Sequence, residues 1–378
     1  MYLKELNLVN FRNHSEAQLS FGQLIVVFTG NNGSGKTNLL DAIYYLSFCK
    51  SFLNPVDSQN IRQGEPFFVI QGKFDDSGLS EEVYCGIKKG QKKNFKRNNK
   101  EYDKLSDHIG RIPLVIISPS DIGIITEGSE ERRRFIDSVI SQFDKTYLQC
   151  LMAYNRVLMQ RNAALRAGYA PDELLDVFDI QLVQHAIPIY QTRQEFMKKF
   201  SAMVAEYYIF LSGGNENISL EYDSGLHSAA PDELLKNTRD KDRVMQYTTQ
   251  GIHKDDMGML INDFPLKKYA SQGQQKSFLI ALKLAQFDML RDIKNVKPVL
   301  LLDDIFEKLD QSRITALMTL VSQKHFGQIF ITDSHPERIA EILREINTEF
   351  DHFVVSSNGV FPKGFQEELI SNGSISVQ

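Results

Sequence analysis

Gly30-Asn31-Asn32-Gly33-Ser34-Gly35-Lys36-Thr37, followed by Asn38, carries the clearest chemistry in the chain. It fits G-x-x-x-x-G-K-[ST], the spacing of a loop that cradles nucleotide phosphates. The glycines let the backbone curl so that successive N–H groups face an anion. Lys36 supplies counter-charge, and the Thr37 hydroxyl is a ligand for Mg2+. The flanks agree. LIVVFT (24–29) reads as a strand buried on both faces, and NLLDAIYYLSF has helical spacing. With that context, a bare glycine turn is the weaker reading.

VLLLDD (299–304) is the second constellation. Its apolar residues build a central strand and deliver Asp303 and Asp304 at the C-terminal end, where parallel sheets bind ligands. Asp303 is the expected Mg2+ ligand, and Asp304 is placed to orient or deprotonate a water. Alone, the pair would read as an acidic helix cap. Beside a phosphate loop, it reads as catalytic with Lys36. The third is Ser271-Gln272-Gly273-Gln274-Gln275, opening the helical pattern FLIALKLAQFDML. One capping residue would suffice there. A second anion-receiving helix start makes sense if it closes over the nucleotide of another subunit. That is the logic of ATP-binding-cassette (ABC) proteins, whose signature motif SQGQ resembles.

The elements that must position these residues can be sketched. Residues 2–9 alternate as an edge-type strand. Residues 67–117 read as an antiparallel sheet, including PLVIIS, with a hairpin at Asn98–Asn99. From about 129 to 210 the pattern is helical, interrupted by Pro171 and Pro188. Strands return at 218–224, in a hairpin turning at Asn262–Asp263, and in KPVLLLDDIF and GQIFITDSH. The expected fold class is α/β. The likeness of SQGQ to the ABC signature, with the family resemblance set out below, implies an ABC-type P-loop ATPase head, with a mixed central sheet plus an antiparallel sheet, carrying an inserted all-helical arm. The expected division is 1–121 for the first part of the head (lobe I), 122–215 for the arm (lobe II) and 216–378 for the rest of the head.

The chain has 378 residues, 24% of them charged, and a formal net charge of −5. It is no polycation, so nucleic-acid binding must come from local patches. Cys49, Cys85 and Cys150 have no metal-ligand spacing and read as thiols of a reducing compartment. MYLKELNLVNF carries charges inside its apolar pattern, unlike a secretory segment, and no apolar run is long enough to span a bilayer. The expectation is a cytoplasmic protein without a membrane partner.

NLVNFRNH, GNNGSGKTNLLDAIYYLS, PSDIGIITEGSEERRRFID, YNRVLMQRNAALR, GIHKDD, YASQGQQKSFLIALKLAQ and VLLLDDIFEKLD occur in this order over nearly the whole chain. Together they resemble the RecF family of DNA recombination-repair ATPases, related to SMC heads. The resemblance implies ATP and Mg2+ as cofactors, weak DNA-dependent ATP hydrolysis, and an ATP-dependent homodimer on double-stranded DNA near gaps. It also implies RecO/RecR-type mediators as partners and help in loading RecA. It places Arg12 near the nucleotide, Pro119–Asp121 in a loop coupling the lobes, Asp310 in the D-loop and Asp333 at the switch position, with His335 too late for that role. Two departures stand out: Glu307–Lys308 where the family often has Ser-Glu, and Ile252 where a Pro is common.

For DNA, KKGQKKNFKRNNK (88–100) is the densest basic stretch, with Lys92, Lys93, Lys96 and Arg97 on its hairpin. Arg132–Arg134, Arg156, Arg161 and Arg166 are further candidates. Arg133 and Arg134 are equally suited to pairing with Glu130 or Asp137 on their own helix. Rival readings are an SMC-type structural ATPase, for which the proline-broken helical tract is short, a transporter ATPase subunit and a small-molecule kinase. The kinase leaves SQGQQ unexplained. A binding-only protein also stays open, because Asp304 is shorter than the glutamate many ABC ATPases use.

Overall fold

The computed structural model describes residues 1–76, 78–168, 170–214, 216–308, 311–322 and 326–363, with backbone only at 307–308 and 311–313. In chain order, β1 (Tyr2–Phe11), β2 (His14–Ser20) and β3 (Ile25–Thr29) lead into α1 (Lys36–Phe48). Then come β4 (Phe67–Asp76), β5 (Leu79–Lys88), β6 (Asn94–Arg97), β7 (Lys100–Glu101) and β8 (Leu114–Ile117). Helices α2 (Gly123–Thr126), α3 (Ser129–Ser141), α4 (Lys145–Arg166) and α5 (Asp172–Ser212) follow. Next are β9 (Ile218–Asp223), α6 (Pro231–Asn237), α7 (Arg239–Met245), β10 (Asp256–Ile261), β11 (Phe264–Pro265), α8 (Leu266–Tyr269) and α9 (Gln272–Lys294). The chain closes with β12 (Val299–Asp303), α10 (Gln311–Val321), β13 (Ile329–Asp333), α11 (Arg338–Glu345), β14 (Phe350–Ser356) and β15 (Gly359–Pro362).

The first compact unit joins Met1–Pro119 to the chain from Leu290 onward. One sheet runs β2-β1-β4-β5-β6-β7 and a second runs β15-β14-β3-β13-β12-β8. In the second, β14, β3, β13, β12 and β8 are mutually parallel, and β15 returns antiparallel. Both sheets and α1 contribute to one core, with Leu6, Phe11, Phe28, Leu39, Leu46 and Phe330 all fully buried. Strand β1 shows how the sequence makes its face. Leu3, Leu6, Leu8 and Phe11 are buried although Leu3 and Leu6 are three apart, because the register shifts between Leu3 and Glu5.

Three expectations need correction here. Strand β1 is not at an edge, since β2 and β4 flank it. PLVIIS does not join the antiparallel sheet. Strand β8, buried at all four positions, pairs in parallel with β12, as a strand covered on both faces should. Nor does Pro188 interrupt its helix, because α5 runs through it for 41 residues. Proline deprives the Gln184 carbonyl of its helical partner, but Gln184 is exposed, so water can satisfy it. Both expected hairpins are found. Asn98 and Asn99, and likewise Asn262 and Asp263, have positive φ at successive positions, as two-residue turns of this type require.

The second unit is Ser120–Met289. Its described residues between 122 and 215 are mostly helical, and the compact unit does not end at 215. Residues 216–289 belong to it, bringing the three-stranded sheet β11-β10-β9. The reason is packing and charge: α5 lies on β9 and α3 on β10, and Arg132 grips Asp256 with both ends of its guanidinium, at 2.6 and 2.9 Å. Among the described residues, no helix is long and apolar enough to cross a membrane.

Candidate nucleotide-binding site

Strand β3, buried throughout, ends at Thr29 and hands the chain to the glycine loop. Gly30 is required by close approach: a Cβ there would sit 2.1 Å from the carbonyl oxygen of Val355 on β14. Gly35 has φ 110°, and a Cβ would meet Asn13 at 2.5 Å and His14 at 2.8 Å. Helix α1 starts with no side-chain cap and no acidic residue in its first turn. Its leading N–H groups are therefore uncommitted to a side chain, as an anion site needs. Lys36 is buried, and its Nζ donates to the carbonyls of Gly30 at 2.9 Å and Asn31 at 3.2 Å.

The sheet register brings the second constellation to the same place. Thr37 Oγ1 donates to Asp303 Oδ1 at 2.8 Å, although 266 positions separate them. Thr332 on β13 donates to the same oxygen at 2.8 Å and accepts the Asp304 N–H at 2.9 Å. Asp304 has φ 43°, a conformation costly for a non-glycine residue, which the Thr332 hydrogen bond helps to hold. Burial pushes the Asp303 carboxyl up to about 6, the Asp304 charge adds to the rise, and the Thr37 and Thr332 hydroxyls oppose it. One hydroxyl and one carboxylate side by side suit Mg2+, which is commonly held by one or two protein oxygens plus phosphates and water. No cluster of three or more His, Cys, Asp or Glu side chains that could hold a metal occurs among the described residues.

The turn between β1 and β2 buttresses the loop, and sequence reading missed most of this. Asn13 Nδ2 donates to the Ser34 carbonyl at 2.8 Å, and its Oδ1 accepts from Asn38 at 2.7 Å. His14 is 3.1 Å from the Gly35 carbonyl. Arg12 goes to Asp41 of α1, with Nε at 2.9 Å, and to Ser51 just beyond the helix, with Nη2 at 2.9 Å. A cavity of about 670 Å³ opens above the loop, lined by Asn31, Asn32, Gly33 and Ser34, Asn13–Glu16 and the β14–β15 turn. Asp333 is fully buried and held by Arg338 through both oxygens, at 2.9 and 2.6 Å, while His335 is exposed. Asp310 and the side chains of Glu307 and Lys308 lie outside the described residues.

In the second unit the polar run begins α9. Ser271 Oγ accepts the Gln274 N–H at 3.2 Å, while Gln274 Oε1 accepts the Ser271 N–H at 2.6 Å, a reciprocal capping box. Gln274 also donates to Glu216, and Gln275 donates to the Ala270 carbonyl at 3.2 Å. Ser271 and Gln272 are exposed, and Gly273 half-buried. From the Pro119–Asp121 segment, Asp121 accepts from Lys283 of α9 at 2.6 Å.

The basic hairpin is less available than its sequence suggests. Lys93 binds Asp57 at 2.9 Å and the Cys49 carbonyl, and Arg97 shares the buried Glu81 with Arg111. Lys96 lies 5.9 Å from the Tyr84 ring centroid, and Lys92 is exposed. In the helical tract, Arg161 is fully buried on Asp179 and Asp242, so it is no surface contact, whereas Arg156 and Arg166 are exposed.

Residues 2–354 match the RecF/RecN/SMC N terminal domain family. The DNA replication and repair protein RecF of Bacteroides thetaiotaomicron is 46% identical over 369 residues, 97% of this chain and 100% of that protein. Its namesake in Phocaeicola vulgatus is 49% identical over 363 residues, 95% and 98% of the two chains. The structure of the recombination mediator protein RecF-ATPrS in the RecFOR pathway superposes with a TM-score of 0.86 at 29% identity, covering 96% of this chain and 98% of that one. An SmcHead bound to the C-winged helix domain of ScpA, at 14% identity and TM-score 0.58, shares the fold, covering 97% and 100%. The sheets and helices described above are thus those of an ABC-type ATPase head, and the chain belongs to the RecF family of DNA replication and repair proteins.

Proposed function

We propose that the chain is a cytoplasmic, ATP-dependent DNA clamp. In this reading two copies sandwich two ATP molecules, each between the Gly30–Thr37 loop of one copy and the Ser271–Gln275 run of the other. The closed dimer holds double-stranded DNA near single-strand gaps, and slow hydrolysis releases it. RecO/RecR-type mediators as partners and help in loading RecA are part of the same proposal, supported by the likeness to a RecF structure of the RecFOR pathway.

The observation that carries the reading is the Thr37–Asp303 contact directly behind a phosphate loop whose helix start is left uncapped. In the proposed site the α1 N–H groups and Lys36 bind the β- and γ-phosphates, with Lys36 exchanging loop carbonyls for phosphate oxygens. Thr37 and Asp303 would hold Mg2+, which supplies charge neutralisation on the phosphates when bound. Asp304 orients the attacking water and receives its proton. Arg12 and Asp41 stiffen the start of α1, and Asp333 stays tied to Arg338 until the nucleotide state changes.

Sedimentation of the wild type with ATP and duplex DNA tests this. A dimer that needs both the nucleotide and Lys36 is expected, with Lys36→Ala remaining monomeric. A wild type that stays monomeric with ATP and DNA ends the sandwich model.

A further inference from the structure

Three stretches that stand out in the sequence, RRRF, YNRVLMQRN and GIHKDD, contribute nothing to the phosphate-loop cavity, yet they meet. One face of α3, with Glu130, Arg133, Arg134 and Asp137 at helical spacing, forms a wall of a cleft of about 320 Å³. Leu151, Tyr154 and Asn155 of α4, with Arg193, Ile252 and His253, line the rest.

Most charge in this cleft is already matched. Arg193 is buried and bonds Asp137 at 2.8 Å, Asp255 at 2.9 Å and the Ile252 carbonyl at 2.8 Å. Arg134 pairs with Glu130 and Glu131 on its own helix. His253 stays neutral: with one ring nitrogen against the Thr248 carbonyl at 2.9 Å, the other accepts from Tyr154 at 2.8 Å. Burial pushes its pKa down to about 4.

Arg133 differs. It is half-buried, and among the described residues its side chain makes one hydrogen bond, from Nη1 to the backbone carbonyl of Asp255 at 2.6 Å. It forms no ion pair with a carboxylate among the described residues, and Nε and Nη2 keep their N–H donors. Burial, then the neighbouring Arg193 charge, pulls its pKa down. A partly desolvated guanidinium without a carboxylate partner favours an arriving oxyanion, and guanidinium matches phosphate in a fork of two hydrogen bonds. The exposed Asn155 amide stands at the rim as a further donor.

We propose that this cleft is an oxyanion site that takes a backbone phosphate of DNA, with Arg133 as the charge and Asn155 as the second donor. It rests on the DNA-binding reading above. It moves part of the DNA contact from the 88–100 hairpin, where Lys93 and Arg97 are already spent, to the α3–α4 cleft.

The test is anisotropy of labelled duplex DNA with ATP across a salt series, for the wild type, Arg133→Gln and Asn155→Asp, with melting curves for each. Arg133→Gln should weaken binding about five- to tenfold and flatten the log–log salt slope by about one. Asn155→Asp places a negative charge at the rim without touching the Arg133–Asp255 bond, and should weaken binding at least as much. If Arg133→Gln does not fold, Asn155→Asp decides alone. Affinity and slope equal to wild type in the folded variants overturn the proposal, while a wild type that binds no duplex overturns the DNA reading with it. Inorganic phosphate titrated calorimetrically separates the sources. Arg133-dependent heat with an unchanged DNA slope would mean a free-anion site, which also overturns the DNA assignment.

Discussion

Thr332 reaches across from β13 to donate its hydroxyl proton to Asp303 Oδ1 on β12 at 2.8 Å, and the two residues are direct partners in the parallel register. The same hydroxyl accepts the Asp304 N–H. One buried side chain therefore fixes both the carboxylate expected to face the metal and the backbone of the residue expected to face the water. Thr332→Val keeps the shape and removes the hydroxyl, leaving the Asp304 N–H without that partner at a cost of about 1–3 kcal/mol. ATP turnover should fall by about tenfold or more, because a small misplacement of reacting groups is enough for that, with a much smaller change in KM. Thr332→Ser should keep most of the rate. Steady-state kinetics on the two variants decide it: wild-type turnover by Thr332→Val would show that the hydroxyl positions nothing.

The glycines of the phosphate loop are not equivalent. A Cβ on Gly30 would lie 2.1 Å from a backbone carbonyl oxygen on β14, whereas a Cβ on Gly33 meets nothing within 4 Å and faces only the strain of φ 80°. Gly33→Ala should therefore cost roughly 1–2 kcal/mol and still bind ATP. Gly30→Ala must push β3 and β14 apart, so it should lose several kcal/mol of stability and the ATP-induced rise in melting temperature. Thermal melts with and without ATP compare them. Equal behaviour of the two variants would contradict the packing argument.

What the sequence made legible here was local. The phosphate loop announces itself because eight consecutive residues carry its pattern, and Asp303 and Asp304 because a strand delivers them together. Thr332 was hidden because its role depends on the register between β12 and β13. Asn13 and His14 were hidden because they act through the carbonyls of Ser34 and Gly35, which no residue type reveals. The basic hairpin misled for the opposite reason. Its letters show the charge of Lys93 and Arg97 but not Asp57 and Glu81, which lie outside the basic stretch and neutralise them. Pro188 misled because helix breaking depends on whether the freed carbonyl can reach water. The compact unit ending at Met289 escaped because Arg132–Asp256 and Arg193–Asp255 tie the later strands to the helices.

Buried histidines give the fold an acid limit. His108 is fully buried, one ring nitrogen against the Leu46 carbonyl at 2.7 Å and the other against the Tyr102 hydroxyl at 3.0 Å. Burial pushes its pKa down to about 4, and that of His352 likewise. The unfolded chain takes up the proton near pH 6.5, while the native state resists it until about 4. The stabilisation is complete above 6.5 and is lost as pH falls toward 4, at up to about 1.4 kcal/mol per pH unit for each such histidine. His108→Gln can keep both hydrogen bonds but cannot titrate. Urea denaturation through this window should give a flatter pH dependence for the variant than for the wild type. Identical slopes would mean that His108 does not resist protonation in the native state.

The polar run that opens α9 divides into two parts that a pair of variants can separate. Ser271 and Gln274 cap the helix of their own chain, so Ser271→Ala should cost about 1 kcal/mol of stability whatever happens between subunits. Gln272 is exposed, and among the described residues its side chain makes no hydrogen bond within the chain. Gln272→Arg should leave the monomer's melting within about 0.5 kcal/mol of wild type, as surface changes usually do. If the run closes over the nucleotide of a second copy, the same variant places a bulky charge at the closing surface. The ATP-dependent dimer should then weaken by at least about tenfold in sedimentation, while ATP binding to the monomer is retained. A Gln272→Arg protein that dimerises like wild type would reduce the run to a helix cap, because the residue with no duty inside its own chain would have none between chains either.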